Sequence, residues 1–432
     1  MLNPPLSILP YDVLVYIVDH VAALCFHEDL RALCLTDRVF TYACQKWIFK
    51  TLRLFNSEFE KATMDEQLQT KGRILAKAPE LSRWIRNISL SDINDQLTWL
   101  LLEPRFISIM QMFALSPAPP NELVLEYFLY HPVVFRDVRF FIRRLSQSFL
   151  PRTLTTLRLR QCRDVPLTII TMLPRLKSLY LDDSEAREKD YPAYGSELLE
   201  SKHIPAIEVL QSRRSHTMLA LMTVPFNDLG EYVVKWDKLR ILHLSPQERE
   251  SMQHLPRILS LSRGSLEELY LDAVDYRNCI NLPLAELVDL SILPELRIFT
   301  MCFDLRTYDD VTEVNTILQT IPGGNKLTNI RIEFPVKNSS TLGFDYYWSQ
   351  LCAEVKRVSA QRRLEFELEF YPYMRSIFDK EENINEQVKK LQENLSSLMT
   401  SESTVCLHVW FPFCWSLGIA PMNCGTYREQ CK

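Results

Sequence analysis

The chain has 432 residues, enough for two to four domains of ordinary size or for one array of repeats. Hydrophobic residues make up 47% and charged ones 24%, the balance of a folded chain, and a net charge of -5 at this length gives no ground for expecting nucleic acid or an anionic membrane. With 9 glycines against 24 prolines, the sequence is also poor in the residue on which phosphate-cradling loops depend.

The first predicted elements are three short helices. Pro10 suits a first helical turn, where its missing N–H would be unsatisfied anyway. Leu14, Ile17, Val18 and Val21 then recur at spacings of three and four and share one helical face. Leu9 stands just outside, placed to staple the entering chain. A second helix is predicted from about Glu28, with Leu30, Leu33 and Leu35 apolar. A third runs from about Asp37 to Phe49 and carries Val39, Tyr42, Ala43, Trp47 and Ile48. Helices this short, with this much leucine, cannot bury all their apolar surface among themselves. No basic segment precedes the run, and Asp12, Asp19 and His20 interrupt it, so it does not read as a secretory signal. No stretch approaches the ~18–20 apolar residues of a membrane span, and an intracellular location, cytoplasmic and/or nuclear, is expected.

Residues 5–54 resemble an F-box domain of the form common in fungal proteins. The resemblance rests on Leu9-Pro10 followed by an acidic residue, an L-x-x-I-V stripe, the step Asp29-Leu30-x-Ala32-Leu33, a Thr-Asp-Arg turn and the closing run from Trp47 to Leu54. The link between the first two helices is longer than usual in that family. The family docks on a small Skp-type adaptor within a cullin-based ubiquitin ligase. The resemblance therefore implies an adaptor-facing surface formed by Leu9, Pro10, Leu14, Ile17, Val18, Leu30 and Leu33. The competing expectation is that these residues pack against the neighbouring domain.

Beyond residue 55 one phrase returns: LTTLRLR from Leu154, LKSLYLD from Leu176, LRILHLS from Leu239, LEELYLD from Leu266, LRIFTMC from Leu296 and LTNIRIE from Leu327. Weaker copies begin near Ile85, Glu122 and Ile207, and late copies at Leu364 and Thr404 keep only the alternation. Successive copies lie commonly about 27–32 residues apart, near the leucine-rich-repeat period. Each alternates apolar and polar residues, as a strand with one buried side does. Helical stretches intervene, with stripes Val314, Ile317, Leu318, Ile321; Tyr347, Leu351, Val355, Val358; and Ile384, Val388, Leu391, Leu395, Leu398. The fold expected is α/β: an N-terminal three-helix F-box followed by an irregular leucine-rich-repeat horseshoe with ten or more parallel strands on its concave side. The repeat region is bounded at 55–417. Residues 116–121 and 184–197 read as surface loops, and 418–432, having no period, as a disordered tail.

The search for chemistry returns little. The motifs of serine hydrolases, P-loop enzymes, dinucleotide binders and zinc proteases are missing. Eleven cysteines without C-x-x-C pairing read as buried free thiols. His408 stands near Cys406 and Cys414, yet the spacing fits no standard zinc site, and no cysteine has a base that the sequence can identify beside it. Neither metal nor cofactor is expected, and the chain reads as a non-enzyme.

In L-x-x-L-x-L the third, fifth and seventh positions point away from the core. This places Arg158, Tyr180, His243, Tyr270, Thr300 and Arg331 in one stripe, flanked by Asp182, Asp272 and Glu333 on one side and by Ser178, Glu268 and Asn329 on the other. Tyrosines among charges suit protein recognition. Arg158 and Arg160 early, against Glu333, Glu365, Glu367 and Glu369 late, predict a face that changes sign along the chain. The expected function is substrate recognition within a Skp–cullin–F-box ubiquitin ligase, with the Skp-type adaptor, the cullin ligase and a target protein as partners. The alternative is a non-catalytic repeat scaffold without ubiquitin transfer.

Overall fold

Alternation of leucine with polar residues gives short strands whose apolar sides all face one way, and such strands are stable only side by side. The computed structural model describes residues 10–24, 27–36, 38–55, 63–91, 100–126, 133–134, 144, 147–187, 204–226, 230–245, 252–272, 274–275, 280–281, 283–303, 308–336, 345–372, 393, 395, 398 and 405–410. Within them lies a twelve-stranded, all-parallel sheet whose strands follow chain order. By contacts the chain divides into two compact units, Met1–Pro205 and Ala206–Lys432.

The first unit opens with α1 (Tyr11–Leu24), α2 (His27–Thr36) and α3 (Arg38–Ile48). Their shared core is Val18, Leu30, Ala43 and Cys44, with Leu33, Phe40 and Trp47 packed around it. The Trp47 indole N–H donates to Asp19 Oδ1 at 2.6 Å and ties α3 to α1. Tyr42 meets Trp84 edge to face at 4.8 Å, joining these helices to the segment that leads into the second strand.

Five strands of this sheet follow in the first unit: β1 (Thr51–Phe55), β2 (Asn87–Ser91), β3 (Glu122–Glu126), β4 (Thr156–Arg160) and β5 (Ser178–Asp182). β1 falls at the end of the segment read as F-box, because Leu52 and Leu54 alternate with Arg53 and pair in register with Ile88 and Leu90. Over the buried face lie α4 (Met64–Lys77) and α5 (Pro104–Leu115), which contribute Leu68, Leu75, Phe106, Ile109 and Phe113 to the core. A capping box between Thr63 and Glu66 starts α4, and Pro104 occupies the first turn of α5.

The second unit holds β6 (Val209–Arg213), β7 (Ile241–Ser245), β8 (Glu268–Asp272), β9 (Ile298–Cys302), β10 (Asn329–Val336), β11 (Leu364–Pro372) and β12 (Val405–Trp410). Its core runs through Leu242, Leu269, Phe299, Ile330 and Phe366, which occupy one register row. The helices Tyr308–Gln319 and Asp345–Ser359 bury Val314, Ile317, Leu318, Leu351 and Val355 as their spacing predicts. Trp348, which the predicted stripe did not include, is 1% exposed and packs edge to face on Phe334 at 5.8 Å, whereas the side chain of the predicted Tyr347 lies outside the described residues.

One hydrogen-bond device repeats at the strand entries. The carbonyl before a strand accepts two successive N–H groups from the next: Arg240 and Ile241 on Glu208, Glu267 and Glu268 on Arg240, Arg297 and Ile298 on Glu267. Gln161, Asp183 and Arg214, each just past a strand end, have φ of 53°, 51° and 48°, so the chain leaves these strands through the left-handed region. Eleven copies of the predicted phrase are strands, and β1 is a twelfth. The helical stripe predicted from Ile384 lies outside the described residues apart from Leu395 and Leu398, both buried. So do residues 188–197 of the second predicted loop, and the tail at 418–432.

Candidate functional site

Two surfaces carry the side chains singled out by the sequence. On the helices, Leu14, Val18 and Leu30 are buried within the chain itself, while Ile17 and Leu33 are half-buried and Pro10 is exposed. Leu9 lies outside the described residues. The large apolar side chains of these helices left in solvent are Val13, Tyr16, Leu35 and Tyr42, with Tyr16 72% and Leu35 86% exposed. Sequence reasoning gave none of them a docking role. Their signal is nonetheless there: Leu14 and Val18 define the inward stripe of α1, and Tyr16, two residues from each, must project from the opposite side. Tyr16 also stacks on His20, with ring centroids 6.4 Å apart.

The second surface is the polar face of the sheet. Parallel register sets Arg158 beside Tyr180 in the first unit. In the second it sets His243, Tyr270, Thr300 and Arg331 side by side, one per strand. The predicted stripe therefore exists within each unit.

In the first unit its charges are mutually satisfied. Arg158 Nε lies 2.5 Å from Glu122 Oε1, and its guanidinium stacks 3.7 Å above the Tyr180 ring. Arg160 pairs with Asp182 at 3.2 Å. Glu126, 8% exposed, accepts from Ser91 at 2.8 Å and from Ser89 at 3.3 Å. The predicted change of sign is thus corrected: the early arginines face carboxylates on adjacent strands and form no free basic patch.

In the second unit carboxylates outnumber cations. The polar positions of β7 to β11, through residue 369, carry Glu268, Asp272, Glu333, Glu365, Glu367 and Glu369 against Arg331 and His243. His243 Nε2 is 2.9 Å from Glu268, and its ring lies 5.4 Å from that of Tyr270. The Tyr270 hydroxyl donates to Glu333 at 3.4 Å, and Ser245 donates to Asp272 at 2.7 Å. Arg331 is clasped by Glu369 and lies 3.0 Å from Glu333 and 4.0 Å from Glu367. Burial pushes the Glu333 carboxyl above its usual range, against the attraction of Arg331, and Glu369 and Asp272 add to the rise. Burial also opposes the charge on Arg331, but Glu333, Glu369 and Glu367 outweigh it and raise the guanidinium further.

The late strand β12 places Cys406 and His408 on this same face, in register with Glu365 and Glu367. Cys406 Sγ and His408 Nε2 are 3.4 Å apart, so the base that the sequence could not assign to any cysteine is two residues away on the same strand. Among the described residues no group of three His, Cys, Asp or Glu is placed to hold a metal ion, and no helix is long and apolar enough to cross a membrane. No family model matches the chain, and no curated protein matches it in sequence.

Proposed function

We propose that this chain is the substrate-recognition subunit of a Skp–cullin–F-box ubiquitin ligase. In this reading the helices α1 to α3 are an F-box that docks on a Skp-type adaptor, and the parallel sheet belongs to an irregular leucine-rich-repeat horseshoe that holds the target protein. The subunit does none of the ubiquitin-transfer chemistry itself. It acts by raising the effective concentration of target lysines beside the charged ubiquitin carrier. One observation carries the reading: α1 to α3 already have a core of their own, yet keep Val13, Tyr16 and Leu35 in solvent. Large apolar side chains held out of an available core are what a docking surface requires. Tyr180 and Tyr270 would anchor the target from the polar face of the sheet.

The docking experiment follows from burial. Replacing Leu14 or Val18 would damage the helical core as well as any interface, so the informative variant is Tyr16→Asp combined with Val13→Asp. A lost interface anchor commonly costs about 2 kcal/mol, or roughly thirtyfold in affinity. Capture of a purified Skp-type adaptor should fall by at least that factor while the circular dichroism spectrum stays unchanged. Failure of the wild-type chain to bind such an adaptor would overturn the reading. A specific observation favours the second one, an interaction scaffold without ubiquitin transfer: Leu14, Val18 and Leu30, which the F-box resemblance implies face the adaptor, are spent on the chain's own packing.

A further inference from the structure

The Cys406–His408 pair on β12 is a nucleophile and a base at hydrogen-bonding distance, and nothing in the proposed recognition function uses it. The two side chains stand at i and i+2 of a strand, on the side opposite Val405, whose register partner Leu364 is buried. Both residues are half-buried rather than sealed in the core. The 3.4 Å contact lets the thiol donate to Nε2 when the other ring nitrogen carries the proton. A thiolate is the reactive form of cysteine, and an adjacent imidazole is the common device for generating it. The neighbours restrict the reagent. Glu365 and Glu367 are in register with the pair on β11; their charge disfavours an anionic electrophile and also a free thiolate, so the proton must pass to His408 as the sulfur attacks.

We propose that Cys406 is a peroxide-reactive thiol, with His408 as its base and a neutral hydroperoxide as its substrate. The sulfur attacks one oxygen of the peroxide as His408 takes the thiol proton; an S–O bond forms and the O–O bond breaks. The departing hydroxide or alkoxide receives that proton. Cysteine and hydrogen peroxide therefore give a sulfenic acid and water, with sulfur oxidised by two electrons and the peroxide reduced by two.

The test uses the full chain and hydrogen peroxide, with dimedone trapping of sulfenic acid followed by peptide mapping. Two cysteines of the same chain serve as references. Cys34 is half-buried like Cys406, but its described electrostatic neighbour is Cys44 rather than an imidazole. Cys162 is wholly buried, with its thiol pushed up to about 12, and should stay unlabelled. An ordinary thiol is only about 3% ionised at neutral pH, so a base-activated one can react up to roughly thirtyfold faster. Cys406 should be trapped at least about tenfold faster than Cys34 at pH 7, and His408→Gln should remove most of that advantage. The circular dichroism spectrum of the variant, compared with that of the wild type, guards against misfolding. Equal rates at the two cysteines in the wild-type chain, or a folded His408→Gln chain labelled at Cys406 as fast as wild type, would overturn the proposal.

Discussion

At the scale of the residue, Glu333 shows how sheet register sets the behaviour of a side chain. It sits beside Tyr270 and Arg331 but also near Asp272 and Glu369, and burial raises its carboxyl above the usual range. A raised carboxyl binds its proton more tightly when the chain is folded. Its contribution to stability is complete at pH below the unfolded value of about 4.3 and is lost as pH rises through the higher folded value. Glu333→Gln mimics the protonated form and escapes that loss. The melting temperature of the variant relative to wild type should therefore increase between pH 4 and pH 7. A difference that stays flat or moves the other way would mean that Arg331 governs the site instead.

At the scale of the element, β1 presents the problem of an edge. It is the first strand of the sheet, with backbone groups that no further strand pairs among the described residues. Helix α4 answers through Gln67, 6% exposed, whose side-chain amide donates to the Phe55 carbonyl at 2.7 Å and whose carbonyl accepts from the Phe55 N–H at 3.3 Å. The side chain thus imitates a short piece of strand. Gln67→Leu keeps the volume but strips both bonds from a part-buried backbone, a loss of about 1–3 kcal/mol. Urea denaturation should report it, and amides of Thr51–Phe55 should exchange faster than those of β3. A neutral result would mean that water replaces Gln67 at this edge.

At the scale of the whole molecule, stability in each unit is passed from strand to strand. Phe299 is fully buried, with Leu269 on one side and Ile330 on the other in register. Phe299→Ala should cost about 3–5 kcal/mol. Because a strand in such an array touches mainly its neighbours, hydrogen exchange should accelerate most in β8, β9 and β10 and less in β6 and β12. Uniform acceleration across the second unit would show a single cooperative block. The charge pattern also belongs to this scale. A target drawn to the carboxylate-rich face of β7 to β11 would carry a basic segment, and its association would slow as salt rises.

The amino-acid sequence by itself determined the period of the array. Leucine at alternate positions obliges a strand to turn those residues inward, so eleven strands and the polar stripe on their outer side were legible from phrases such as LEELYLD. It also determined the three short helices, through spacings of three and four. Only the tertiary structure decided which apolar residues those helices keep for their own core. The spacing groups Leu14 with Val18 and sets Tyr16 opposite them, but both faces of α1 are apolar, so it does not say which of the two the chain keeps for its own core. It likewise decided the charges. Tyr270 and Glu333 are 63 residues apart, and Arg158 and Glu122 are 36 apart. Their meeting depends on strand order and register, which set the distances between side chains that local pattern leaves open.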